Sequence, residues 1–133
     1  MSEQIILQKE TAATVISNYF AAIRAMDIKA WLETFAENAS AYEPVAGNLF
    51  QGHQAISKFF EGIASMFETL GLTEEFVHIA DNEVAVKWIG YGVSKNGKEV
   101  TFEGVDLFEI NTDGKIQTVR GYWNPAAMMA QLN

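Results

Sequence analysis

The sequence predicts an α+β domain in which three N-terminal helices pack on a strongly curved antiparallel sheet, a cone-shaped roll that encloses a pocket. Three observations carry this. Apolar residues recur at helical spacing as far as Leu70, and at strand spacing beyond it. Asn96-Gly97 and Asp113-Gly114 fall between alternating apolar runs, which marks hairpins and therefore antiparallel pairing. Gly90, Gly92, Gly104 and Gly121 lie inside those runs, where a missing side chain permits bending or close approach.

From about Gln8 to Met26, the positions Ala12, Val15, Ile16, Tyr19, Ile23 and Met26 form one helical stripe, so Tyr19 points inward with its neighbours. A buried phenol needs a hydrogen-bond partner; a backbone carbonyl would serve as well as a site. Asp27 is placed to cap a second, shorter helix with Ile28, Trp31, Leu32 and Phe35 on one face, making a helical hairpin. Ala39 to Glu43 reads as a short strand closed by Pro44, which holds Glu43 in extended geometry at the strand end. The segment from Pro44 to Gly52 is a loop of the kind that borders a site. A third helix is expected from about His53 to Leu70, its stripe being Ile56, Phe59, Phe60, Ile63, Phe67 and Leu70, with Gly71 as its stop. His53, in its first turn, reads as a surface residue. Strands follow over Thr73 to Ala80, Glu83 to Ser94, Lys98 to Asn111 and Lys115 to Asn124. Pro125 stops the sheet, and the tail to Asn133 reads as a short helix.

The chain's 133 residues suit a single domain spanning 1–133. A composition of 49% hydrophobic and 20% charged residues is that of a globular protein. Cysteine is absent, which removes disulfides, thiolate chemistry and cysteine-ligated metals. A net charge of −8 without a basic cluster repels phosphate backbones and anionic lipid, so neither nucleic acid nor membrane is expected as a partner. The opening Met1 to Leu7 lacks a basic region and a signal-peptide core, and a soluble, cytoplasmic protein is the expectation. No phosphate-binding glycine loop and no histidine metal motif occurs, and neither metal nor cofactor is expected.

The informative stretch is Gly104 to Ile110. Val100, Phe102, Gly104, Asp106, Phe108 and Ile110 share one strand face, and Asp106 is its only ionisable member. A carboxylate against Phe and Ile is costly unless it is paired or protonated. Asp106 is either a strand Asp bonded to a backbone amide or a carboxyl group facing a ligand cavity.

Three groups thus stand out: Tyr19, Glu43 and Asp106. Their setting resembles the ketosteroid isomerases of the nuclear transport factor 2-like superfamily, which also holds the SnoaL-like polyketide cyclases. The resemblance runs from about Val15 to Trp123. It rests on Tyr19-Phe20-Ala21-Ala22-Ile23 with Asp27, Glu43-Pro44-Val45 with Gly47, the Gly52 to Ile56 helix entry, Val105-Asp106 with Phe108, and Gly114 to Thr118 leading to Tyr122-Trp123. It implies a cystatin-like cone and cofactor-free proton abstraction beside a carbonyl, of isomerase or cyclase type. Tyr19 and a protonated Asp106 would then donate hydrogen bonds to the enolate oxygen, with Glu43 as base. Trp123, Val119 and Phe102 would line an apolar pocket for a weakly polar carbonyl ligand. Phe35 and Phe60 join them, at places where some members carry tyrosines that support the oxyanion tyrosine. Glu43 stands where the isomerases have Asp, and so reaches one methylene further. The alternative is a non-catalytic ligand-binding or dimerisation module of the same fold. Thr101, Val105 and Leu107 mix with Glu103 and Glu109 on the opposite strand face, which suits a homodimer interface, as the superfamily also implies.

Overall fold

The computed structural model describes residues 3–133, with side chains from Gln8 onward. The order of elements is α1 (Glu3–Arg24), α2 (Ile28–Glu33), β1 (Phe35–Tyr42), β2 (Leu49–Gln51), α3 (Gly52–Ala64), β3 (Phe67–Ala80), β4 (Glu83–Ser94), β5 (Glu99–Ile110), β6 (Ile116–Trp123) and α4 (Pro125–Ala130). Six strands form one curved, unclosed sheet in the order β2-β1-β6-β5-β4-β3. All neighbours are antiparallel except β1 and β6, which run parallel.

Several expectations are corrected by local chemistry. The α1 helix ends at Arg24, and Met26 lies beyond it at φ 52°. Asp27 does cap α2, accepting from the Ala30 N–H at 3.0 Å. The helix stops before Phe35, however, because Thr34 turns both its N–H and its hydroxyl onto the Trp31 carbonyl, and Phe35 opens β1 instead. The loop after Pro44 contains the short strand β2. The third helix ends at Ala64; Phe67, Leu70 and Gly71 all belong to β3. A bulge between Phe67 and Thr69 brings Phe67 and Leu70 to the same buried side, which reproduces helical spacing in a strand. His53 is half-buried, with Nε2 3.0 Å from the Phe35 carbonyl. Asn124 caps α4 from its side chain, with Pro125 at the first helical position.

The core falls into two parts. The larger joins the buried stripe of α1 (Ala12, Val15, Ile16, Phe20) to Val84, Val86, Phe108, Ile110, Ile116 and Val119 of the sheet. The smaller gathers Phe67, Leu70, Val100 and Met128 at the other end of the roll. Phe102 and Trp123 touch both, and between the two parts lies a cavity. Among the described residues, no helix is long and apolar enough to cross a membrane.

Candidate active site

Strand register brings the carboxyl groups together. Asp106 on β5 is directly opposite Gly121 on β6. Tyr42, the last residue of β1, is level with Arg120, so Glu43 falls level with Gly121. A side chain at Gly121 would collide with Glu43 Oε1; glycine leaves the Glu43 carboxyl room to lie over β6 toward Asp106. The chain after the cis Glu43–Pro44 peptide is tied back, with the Val45 N–H donating to the Gly121 carbonyl at 2.9 Å. The Glu43 N–H donates to the Asn48 carbonyl at 3.0 Å. From the opposite layer, α1 delivers Tyr19, whose ring packs edge-on to Phe20 and Phe108 at 4.9 and 5.0 Å.

Tyr19, Glu43 and Asp106 all line a cavity of about 60 Å³. Phe60, Phe102 and Trp123 line it too. Val119 and Phe35 do not. Val119 is buried opposite Phe108 in the packed core, and Phe35 supports Tyr19 and Trp31 from behind, at ring distances of 5.9 and 4.8 Å. Glu43 is 9% exposed and Asp106 2%. The sequence reading missed Trp31, Trp88 and Met128 as lining residues. The signal for Trp88 was present: it continues the inward alternation Val84, Val86, Trp88 and sits opposite Gly104, where a Cβ would come within 2.5 Å of the indole. Met128 carried no such signal, because its position depends on how the tail folds back.

Among the described residues, no basic side chain lines the cavity. Arg120 of β6 points away, its guanidinium 4.5 Å from the Tyr42 ring centre. Burial pushes the Asp106 carboxyl up to about 7, with the Trp88 indole acting in the opposite sense. Burial and then the charge of Asp106 raise Glu43 well above the carboxylate range, and the Trp123 indole pulls it back. Tyr19 is raised by burial and then by both carboxylates, against the Trp31 indole. Each of the chain's three tryptophans therefore faces one group of the site. The indoles face these groups without reaching hydrogen-bond geometry, and Glu43 Oε1, Asp106 Oδ1 and all three indole nitrogens are buried without a hydrogen-bond partner among the described residues. Two carboxyl groups in one apolar space resist ionising together, so the pair holds on to a proton and titrates as a unit.

The sequence profile of the SnoaL-like domain matches residues 16–119. The chain belongs to the SnoaL-like family. This places it in the nuclear transport factor 2-like superfamily, with a ketosteroid isomerase-like fold. Solved structures agree on the fold of this SnoaL-like protein. A proposed polyketide cyclase from Xanthomonas campestris pv. campestris superposes with a TM-score of 0.83 at 22% identity, over 95% of this chain and 99% of that one. The epoxide hydrolase/cyclase-like enzyme SalBIII, of pyran ring formation in salinomycin, gives 0.78 at 22% identity over 90% and 95%. RV0760c from Mycobacterium tuberculosis, in complex with estradiol-17beta-hemisuccinate, gives 0.76 at 23% identity over 88% and 96%.

Proposed function

We propose that this SnoaL-like protein is a cofactor-independent enzyme that removes a proton from carbon next to a carbonyl group. Its products would be those of an isomerase or of a polyketide cyclase. The observation that carries the reading is the convergence of a tyrosine and two buried carboxyl groups on one apolar cavity without a neutralising cation. The reaction uses the form of the pair in which the one retained proton lies on Asp106 and the charge on Glu43. Glu43 takes the carbon-bound proton, the C–H electron pair moves into the enolate, and Tyr19 and Asp106 donate hydrogen bonds to the enolate oxygen. Return of the proton from Glu43 to another carbon completes an isomerisation; attack of the enolate carbon on a second carbonyl, with the Glu43 proton passing to the alkoxide that forms, completes an aldol cyclisation. The likenesses to a proposed cyclase and to a protein that holds a steroid derivative support a small-molecule carbonyl ligand. The test is deuterium exchange into ketones and β-dicarbonyl compounds. Glu43→Gln should lower exchange by about 10²- to 10⁴-fold. Tyr19→Phe and Asp106→Leu, each of which removes a donor, should each weaken binding of acetohydroxamate, a small enolate mimic.

One observation favours a second reading. The charge of Asp106 raises Glu43 itself, and a protonated Glu43 is no base. In that case the cavity holds a ligand without transforming it, wild type exchanges no carbon-bound proton, and Glu43→Gln binds ligand as tightly as wild type.

A further inference from the structure

The cavity is small for its lining. At about 60 Å³ it falls well below the ~300–1,000 Å³ of sites that enclose a drug-sized molecule, and below the ~150 Å³ that accommodates one benzene ring. Yet aromatic and aliphatic side chains from α1, α2, α3 and four strands converge on it. Met128 of α4 occupies part of the space between them. Its side chain is fully buried, lines the cavity, and packs with Phe67, Leu70 and Val100. The remainder of α4 is held lightly. Ala126, Ala127, Met129 and Ala130 are exposed. The helix is pinned beyond its end by Gln131, whose Nε2 donates to the Thr101 carbonyl at 2.7 Å and whose Oε1 accepts from the Thr101 N–H at 3.0 Å. That pair of bonds is available because β6 pairs with β5 only from Gly104 onward, which leaves Thr101 unpaired on that edge. The arrangement is a flexible apolar plug on a short helix, followed by a polar latch at Gln131 and by half-buried Leu132 packed against the same cluster.

We propose that Met128 sets ligand size in this site: with α4 seated the cavity takes a carbonyl compound smaller than one ring, and a ring-sized ligand enters only where Met128 withdraws. This deepens the proposed function by naming the size class of the ligand, and it rests on that reading of the cavity. The two are tested apart by using benzene, which has no oxygen for Tyr19, Glu43 or Asp106 to act on. Met128→Ala removes the side chain beyond Cβ. It should bind benzene at least about tenfold more tightly than wild type in an NMR titration, because the lining relaxes only in part around the lost atoms. Gln131→Ala, which leaves the cavity wall intact, should fall between the two. Met128→Cys supplies the chain's only thiol. Its labelling by a maleimide should outpace that of Val86→Cys, buried in the main core, and should rise several-fold further when combined with Gln131→Ala. Benzene affinities within twofold of each other for wild type and Met128→Ala would overturn the proposal. So would labelling of Met128→Cys no faster than of Val86→Cys, which would mean that α4 leaves only on global unfolding. Loss of carbon-acid exchange together with retention of these benzene and labelling results would remove the chemistry and leave the size gate standing.

Discussion

Asp106 was legible because it interrupts an apolar alternation on one strand face. Glu43 stood out only by its place at a strand end before Pro44; its burial was not legible, because that depends on a parallel neighbour strand and on a glycine one strand away. In the folded protein Asp106 is raised to about 7 by burial, against about 3.9 in the unfolded chain. The folded state thus holds the proton longer, and the associated stability is complete below the unfolded value and lost as pH rises toward about 7. Glu43 is displaced in the same direction and adds to the trend. The urea midpoint of wild type should therefore be higher at pH 5 than at pH 8. Asp106→Asn, which mimics the protonated form, should be more stable than wild type at pH 8 by at least about 1 kcal/mol, with that advantage shrinking at pH 5. A variant weaker than wild type at pH 8 would show an ionised, bonded Asp106 and would remove the proton donor from the site.

At the scale of elements, hairpins declare themselves through their turns: Gly97 and Gly114, the glycines of the two predicted turns, adopt φ of 85° and 75°, a region other residues avoid. What periodicity hid was the start of β3. Its bulge gives Phe67 and Leu70 the spacing of a helix, and no local pattern distinguishes the two. Equally hidden was the parallel pairing of β1 with β6, which joins segments far apart in the chain and positions Glu43. Gly121 is the residue on which that pairing converges with the β5–β6 ladder. Gly121→Ala should cost about 1–3 kcal/mol, as overpacking does, by displacing the Glu43 carboxyl. In a Glu43→Ala background most of that cost should vanish, since the colliding atom is gone. Urea denaturation of the four proteins of this double-mutant cycle measures the coupling; additive costs would show that Gly121 serves the backbone and not the carboxyl.

For the whole molecule, the outer face of the sheet carries exposed aromatic and aliphatic side chains. Leu107, Tyr122 and Tyr91 are 39%, 46% and 47% exposed there. Glu103 and Lys87, within 3.5 Å of each other, lie between Tyr91 and Leu107, and Glu109 lies beyond Leu107. Exposed aromatic and aliphatic side chains mixed with paired charges suit a protein interface. The expected state is a homodimer, reported by light scattering as twice the chain mass at micromolar concentration. Leu107→Lys should shift it to monomer while leaving the cavity on the opposite face unaltered, and a wild-type monomer under the same conditions would reject the assignment.

The three tryptophans have a practical consequence. All of the chain's indoles line one cavity, each beside a different ionisable group, and no other indole adds background emission. The protein thus carries a built-in optical probe of the site: its ultraviolet-excited fluorescence should change with occupancy and protonation there, without any attached dye.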